Sequence, residues 1–465
     1  MNILNLNTDV LHVLMSYLPI RVAWRFYMTC HTARKIALQR CLSKVELRKG
    51  RDTRRFCDFV LADASSRIPH FRSLILGTFA FNFNSDSGIA DDQDDYDDFY
   101  LYSPECRDSY LDDTVVASFT RVMRLAQLKA IKVRSYGPEV GRLWFPSIPR
   151  LADAIIAQQC LDVIEIEDPD TRVFDTLSQM KSRFRSIHLK FSSPSDGEDA
   201  RRGPLEVNCG FLLPFVDSLT VLRLCEMFNP SPTLKMEGEW PALQELTLEC
   251  MSVSLKAIAT ACPNLRSLCL IKCQITDPPL PRLPLLDRVS FSKVVSTSGS
   301  VRRVHIMNCE VPGPHDMEAL ETMDPVVLSC CFDAESLSLV AAKCRSLKFL
   351  EISLPFNLRK DMESWTPIGI SRLKDLPLRA LVHKVSVDDF GPLSADFAVK
   401  IAMSIPTLEY VGHEELLPFI CNMNCDSHPW FRVVSRPEGA PPVLEKLDDA
   451  EIDVVRNMLP NIPRM

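Results

Sequence analysis

The stretch SLKAIATACPNLRSLCLIKCQITD, residues 254–277, decides the reading of this chain. Its first half places Leu255, Ile258 and Ala259 on one face of a helical period. Its second half, LRSLCL from Leu265, spaces apolar residues as in a strand, with Leu268 and Leu270 two apart and their variable neighbours turned the other way. A single helix-plus-strand unit of this kind has one apolar side and nothing to bury it against. It needs neighbours built like itself.

The neighbours are in the sequence. The pattern apolar, two variable, apolar, one variable, apolar recurs as LSKVEL from Leu42, FRSLIL from Phe71, LKAIKV from Leu128, LDVIEI from Leu161, FRSIHL from Phe184 and LTVLRL from Leu219. It continues as LQELTL from Leu243, LRSLCL from Leu265, LDRVSF from Leu286, VRRVHI from Val301, LKFLEI from Leu347, LRALVH from Leu378 and LEYVGH from Leu408. The steps from Leu128 onward run from 15 to 46 residues, and the longest contains a weaker copy, MDPVVL from Met323. Self-similarity at such a period marks a stacked repeat array, in which each unit covers the apolar face of the next.

The best unit resembles the cysteine-containing leucine-rich repeat, through Ala259, Cys262, Pro263, Leu265, Leu268, Leu270, Cys273, Ile275, Thr276 and Asp277, with one residue fewer between Cys273 and Ile275. Echoes follow at Cys344 with Leu347, at Ile405 with Pro406, and at Cys160 beside Leu161. The resemblance implies an α/β fold, an irregular leucine-rich-repeat solenoid with a horseshoe form and a parallel concave sheet, over residues 120–415. Residues 46–119 are expected to link or begin the array, and 416–465 to cap it. In PEGAPPVLEKLDDAEIDVVRNMLP a proline-rich turn precedes a short amphipathic helix carrying Leu444, Leu447, Ile452, Val455 and Leu459.

The first 45 residues differ. Val10, Leu11, Leu14, Met15 and Leu18 fall at helical spacing after the start signals Asn7 and Thr8, Asp9 suits the first turn, and Pro19 stops the helix. A second helix from about Val22 carries Trp24, Phe26, Tyr27 and Cys30, followed by Ala33, Ile36 and Ala37. At these residues the chain resembles an F-box, the short helical module that docks a substrate receptor on the Skp-type adaptor of a cullin ubiquitin ligase. Leu6, Asp9, Val10, Leu11, Leu14, Met15, Tyr17, Leu18 and Pro19 match its opening, and Cys30, Arg34 and Ala37 match its close. Asn7 stands where proline is usual, Ala33 where tryptophan is usual and Arg21 where an acidic residue is common. The resemblance implies adaptor docking through Leu6, Val10, Leu11, Leu14, Met15, Leu18 and Pro19. The alternative is a repeat scaffold whose N-terminal helices only cover the open end of the solenoid.

Composition narrows the function classes. With 53 Lys plus Arg against 60 Asp plus Glu the chain carries a net charge of −7, so no general electrostatic attraction to nucleic acid is expected. Glycine is sparse at 15, against 33 prolines, which disfavours phosphate-cradling loops. The N-terminus has no signal-peptide pattern and no apolar run reaches the length of a membrane span, which predicts a soluble cytoplasmic or nuclear protein. The 17 cysteines are odd in number and scattered through apolar patterns, as reduced buried thiols are. Nucleophile elbows, phosphate loops, paired metalloprotease histidines and dinucleotide fingerprints are absent, so neither a catalytic residue nor a cofactor is expected. Cys421, Cys425 and His428 fall short of the four ligands of a zinc site, and Cys330 with Cys331 fits core or loop positions. The acidic run of residues 86–100 reads as a solvated loop.

If the strands stack in parallel, the variable hexamer positions form a ladder on the concave sheet, where repeat arrays hold proteins. The ladder comprises Lys129, Lys132, Asp162, Glu165, Arg185, His188, Arg223, Glu245, Arg288, Arg302, Arg303, His305, Lys348, Phe349 and Glu351. Its basic section, Arg288, Arg302, Arg303 and His305 with Lys348 and Phe349 nearby, is the candidate site for an acidic or phosphorylated target protein. The whole is expected to act as the non-catalytic substrate receptor of a cullin ubiquitin ligase, with no nucleic acid and no membrane among its partners.

Overall fold

The structure is a computed structural model that describes residues 6–81, 113–134, 149–167, 169, 171–191, 206–226, 232–295, 297–307, 311–353, 369–386, 395–416 and 429–463. The chain forms two compact units, Met1–Pro232 and Thr233–Met465. Both are α/β. Among the described residues no helix is long and apolar enough to cross a membrane.

The first unit opens with three helices, α1 (Thr8–Tyr17), α2 (Ile20–Tyr27) and α3 (His31–Ser43). Asn7 caps α1, its side chain accepting from the Asp9 amide at 2.9 Å, and the extended Leu18 with Pro19 breaks the chain before α2. Leu11, Met15, Ala23, Tyr27, Ile36, Ala37 and Cys41 close into a core of their own, with Leu6, Leu18 and Trp24 packed at its edge. Arg40 Nε donates to the Leu18 carbonyl at 3.0 Å and ties the end of α1 to α3. α3 runs straight into strand β1 (Lys44–Lys49), which contains residue 45.

From β1 the unit alternates strand and helix. β2 (Ser73–Phe79), β3 (Ala130–Val133), β4 (Val163–Glu167), β5 (Ser186–Phe191) and β6 (Val221–Glu226) pair in chain order, every pair parallel. Parallel neighbours need a crossover, and helices α4 (Gly50–Ala62), α5 (Asp113–Leu125), α6 (Pro149–Ile156) and α7 (Thr171–Gln179) supply four of them. Buried Gln158 locks consecutive turns: it accepts from the Leu128 amide at 3.1 Å and donates to the Met123 carbonyl at 2.5 Å, while Ser182 Oγ donates to its carbonyl at 2.7 Å. Satisfying these interior groups is what lets backbone turns lie inside the stack.

In the second unit β7 (Glu245–Glu249), β8 (Ser267–Ile271), β9 (Arg288–Phe291), β10 (Arg303–Ile306), β11 (Val327–Cys331), β12 (Phe349–Ser353), β13 (Ala380–Ser386) and β14 (Tyr410–Leu416) again pair in sequence and in parallel. β15 (Trp430–Ser435) and β16 (Val443–Lys446) then turn back antiparallel. The register aligns Leu246, Leu268, Val289, Val304, Leu328, Leu350, Leu381 and Val411 in one buried row, each contributing about 1.5–3 kcal/mol by leaving water. Every hexamer of the sequence, the weak MDPVVL copy included, runs into a strand. The repeat at 254–277 closes on itself: Asp277 accepts from Ser254 Oγ at 2.7 Å and from the Leu255 amide at 2.6 Å, capping helix α8 (Leu255–Ala261).

Cys262 and Cys344 are buried behind the strands, and burial pushes both thiols up to about 12, which leaves them inert. Cys330 and Cys331 are buried strand residues of β11, consistent with core positions. Three further helices connect the strands of this unit, α9 (Pro314–Met323), α10 (Ala334–Lys343) and α11 (Ala395–Ser404). The last helix, α12 (Asp449–Met458), follows β16 with a capping box of Asp448 and Glu451.

Candidate interaction site

Helix α1 carries two apolar stripes. Leu11 and Met15 point into the three-helix core and Leu18 packs against it. Val10, Val13, Leu14 and Tyr17, spaced i, i+3, i+4 and i+7, are all exposed, Tyr17 at 81% and Leu14 at 39%. Val22 on α2 and Met28 just beyond it add exposed apolar area. The docking set expected from the sequence therefore divides. Val10, Leu14 and Pro19 are on the outside; Leu11 and Met15 are interior, each 2% exposed, and hold the module together; Leu6 and Leu18 are half-buried at its rim. Val13 and Tyr17 belong to the outer stripe and were legible as a second helical period in the same ten residues.

The second face of the strands bears the variable positions. In the first unit Glu165 gathers two cations: Lys132 Nζ forms a close ion pair with it, and His188 Nδ1 lies 3.3 Å from Oε1. These contacts, with the His188 hydrogen bond foremost, hold the Glu165 carboxyl down at about 2 against the cost of burial. On its other side His188 Nε2 stands 3.5 Å from Cys225 Sγ. Cys225 lies two residues beyond the ladder position Arg223, and the hexamer pattern stops one residue short of it.

In the second unit the basic section expected to hold a target is occupied by the chain itself. Arg302 Nη1 donates to the carbonyls of Pro460 and Ile462 at 3.2 and 3.3 Å, and its Nε and Nη2 bind Asp287 at 2.6 and 2.9 Å. Arg303 Nη2 donates to Asn461 Oδ1 at 2.9 Å, and Lys348 Nζ to the Pro463 carbonyl at 2.9 Å. Phe349 is buried with Val327, Ala380, Val382 and Trp430 beneath Leu447, Ile452, Val455, Leu459 and Ile462 of the C-terminal segment. Four of the six residues assigned to a target are thus engaged by residues 447–463. Arg288 remains exposed, and His305 is half-buried, its proton affinity lowered chiefly by that burial. The segment expected to cap the array adds two edge strands and lays α12 across the variable face; Leu447, Ile452, Val455 and Leu459 are buried there and Leu444 is half-buried.

Charged contacts seat this segment. Arg432 Nη2 meets Glu451 at 3.1 Å and Arg456 Nε meets Glu414 at 2.9 Å. Lys384 bridges Glu351 at 2.8 Å and Glu414 at 3.8 Å on the strands below. On the opposite, apolar face, His383 and His413 stack with ring centroids 5.8 Å apart, both 2% exposed. Burial, reinforced by His413, pulls His383 down to about 3.

Among the described residues no group of three His, Cys, Asp or Glu side chains is placed to hold a metal ion. Cys421, Cys425, His428 and the acidic run at 86–100 lie outside the described residues. The chain matches no protein-family model and no curated protein. Among solved structures it matches the crystal structure of a Bacteroides fragilis protein at 15% identity and a TM-score of 0.23, over 61% of this chain and 65% of that one, so the match spans less than two thirds of its length.

Proposed function

We propose that this chain is a non-catalytic substrate receptor of a cullin ubiquitin ligase, an F-box leucine-rich-repeat protein whose helices α1 and α2 dock a Skp-type adaptor and whose repeats hold a target protein. The observation that carries the reading is the outer stripe of α1. A helical module that only sealed the end of a solenoid would turn its apolar residues inward. This module already has a closed core, and it still presents Val10, Val13, Leu14 and Tyr17 to solvent with Val22 and Met28 close by in sequence. Exposed apolar residues grouped on one helix face mark a protein-binding surface. Of the three departures from the pattern, Ala33 is fully buried and Asn7 and Arg21 are exposed.

The target-binding half of the reading rests on the open part of the strand face. Glu245, Thr247, Glu249, Ser267 and Arg288 lie next to one another in register and are not engaged by residues 447–463 in any of the contacts above. The test is co-expression of the full chain with a Skp-type adaptor, beside a variant carrying Val10→Asp and Leu14→Asp. Co-elution in the parent and its loss in a variant that melts at the same temperature supports the receptor. Failure of the parent to associate with any adaptor of the same cell overturns it and leaves the capped repeat scaffold.

A further inference from the structure

We propose that Cys225 is a nucleophilic thiol, activated by His188 and oriented through Glu165, that adds to carboxylate-bearing α,β-unsaturated carbonyl compounds. The inference is independent of the adaptor reading. Glu165, His188 and Cys225 stand on three successive strands, β4, β5 and β6, and the parallel register sets them side by side: Glu165 is opposite His188, and His188 is opposite Arg223, two residues before Cys225. Because side chains alternate across a strand, all three project from the same variable face. The imidazole spans them, Nδ1 toward the carboxylate at 3.3 Å and Nε2 toward the sulfur at 3.5 Å. A nucleophile within reach of a base that is itself oriented by a third group is the arrangement that activates a thiol.

The carboxylate is suited to its place. With its carboxyl held at about 2, Glu165 is ionised throughout the neutral range and accepts from His188 Nδ1, which fixes Nε2 as the nitrogen facing sulfur. Lys132, the other partner of Glu165, keeps it from swinging away. The site is reachable: the His188 and Glu165 side chains keep about a quarter of their surface in solvent, and Cys225 is half-buried, unlike the inert Cys262 and Cys344.

Two cations select the ligand. Lys190 is the direct register partner of Cys225, and Arg223 is that of His188. Lys190 is on the strand next to the sulfur's, about 4.8 Å away, and Arg223 is two residues along the sulfur's own strand, about 6.6 Å away, both nearer to it than Glu167, which is opposite Lys190 on β4. They favour an electrophile that carries a carboxylate and an addition that develops negative charge on a carbonyl oxygen. The step balances within the relay. The Sγ–H proton passes to His188 Nε2, sulfur bonds to the β-carbon, the C=C electrons move to form an enolate, and His188 returns the proton to the α-carbon. Nothing leaves and nothing is oxidised or reduced.

The experiment uses the full chain with N-ethylmaleimide and 3-maleimidopropionate as probes, the rate at Cys225 being read by site-resolved mass spectrometry from pH 5.5 to 9. An ordinary thiol, at about 8.5, is about 1% thiolate at pH 6.5. The expected result is a Cys225 rate at pH 6.5 about tenfold above that of His188→Gln, an intermediate rate in Glu165→Gln, and a preference of about threefold for the carboxylate probe that disappears in 1 M salt. Cys30, which is exposed, should label equally in all three proteins and checks the probe dose, while the buried Cys262 and Cys344 should stay unlabelled and report that the variants are folded. Equal Cys225 rates in the parent and His188→Gln, or no labelling of Cys225 where Cys30 is labelled, overturn the proposal. Equal rates for the two probes in low salt overturn its choice of ligand.

Discussion

Leu14 and Met15 are adjacent on α1 and face opposite surroundings, Leu14 39% exposed and Met15 2% exposed within the three-helix core. An aspartate at the two positions should therefore do different things. Leu14→Asp replaces a solvent-facing side chain and should shift stability by less than about 0.5 kcal/mol. Met15→Asp buries a charge with no partner and should cost more than about 3 kcal/mol, enough to melt the N-terminal helices. Circular dichroism melts of both variants, with proteolysis to follow the helices, decide it. Equal melts would mean that the core of the module is not built as described.

The C-terminal segment should be integral to the second unit. Ile452→Ala removes a buried side chain from the cluster that covers Phe349, Val382 and Trp430, and a loss of about 2–4 kcal/mol is expected. Hydrogen exchange should speed in β12 and β13 beyond the effect in β7 and β8. Uniform acceleration would show that α12 does not seat on those strands.

Gly412 makes the same contact testable from below. A Cβ at this position would lie 2.6 Å from the Trp430 ring, so Gly412→Ala must displace the indole. A cost of about 1–3 kcal/mol and a red shift in tryptophan emission are expected. Trp430 is 0% exposed and one of five tryptophans, so the difference spectrum between parent and variant reports the displacement.

The strands were legible because their signal is local. Leu268 and Leu270 two apart, with variable Ser267 and Cys269 between and beside them, state the strand and its buried side within five residues, and the same pattern placed all fourteen hexamers. What covers the other side is not local. Lys348 and Pro463 are 115 residues apart, and nothing near Lys348 shows that its ammonium meets a carbonyl rather than a target. Basic ladder positions look alike whether they await a partner or already have one. Likewise the spacing of Val10, Leu11, Leu14 and Met15 reveals an amphipathic helix, but a 3.6-residue period carrying apolar residues on two adjoining stripes does not say which stripe the neighbouring helices take. Glu165, His188 and Cys225 come together only through register, across 60 residues of chain, the difference between 225 and 165.

Asp277 should act as a helix cap although it lies 22 residues after Leu255, the first residue of the helix it serves. It accepts from the Leu255 amide and from Ser254 Oγ, and Ser254 Oγ in turn accepts from the Ala257 amide at 3.1 Å. Removing either partner exposes amides of the first turn of α8. Asp277→Ala and Ser254→Ala should each cost about 1 kcal/mol, and because they share one network the double variant should lose less than the sum. Denaturant melts of the four proteins close the cycle. Strict additivity would separate the two residues.

His383 should give the chain an acid-side instability at mildly acidic pH. Its two ring nitrogens are buried without hydrogen-bond partners, and it is held at about 3 in the fold against an ordinary value of 6.5. Above pH 6.5 the group is neutral in the folded and unfolded chain alike and has no effect. Below 6.5 the unfolded chain takes up a proton that the folded chain refuses, so stability falls with falling pH by about 1.4 kcal/mol per unit until the folded group titrates near 3. Glu165 works in the lower window, between its ordinary 4.5 and about 2, which leaves pH 4.5 to 6.5 to the histidines. His70 and His305 are lowered too and add to the slope there. His383→Leu keeps the apolar packing and removes one titrating group, so the slope of unfolding free energy against pH between 4.5 and 6.5 should drop by about 1.4 kcal/mol per unit whatever the substitution does to stability at pH 8. An unchanged slope would mean that His383 is protonated, and partnered, in the folded protein.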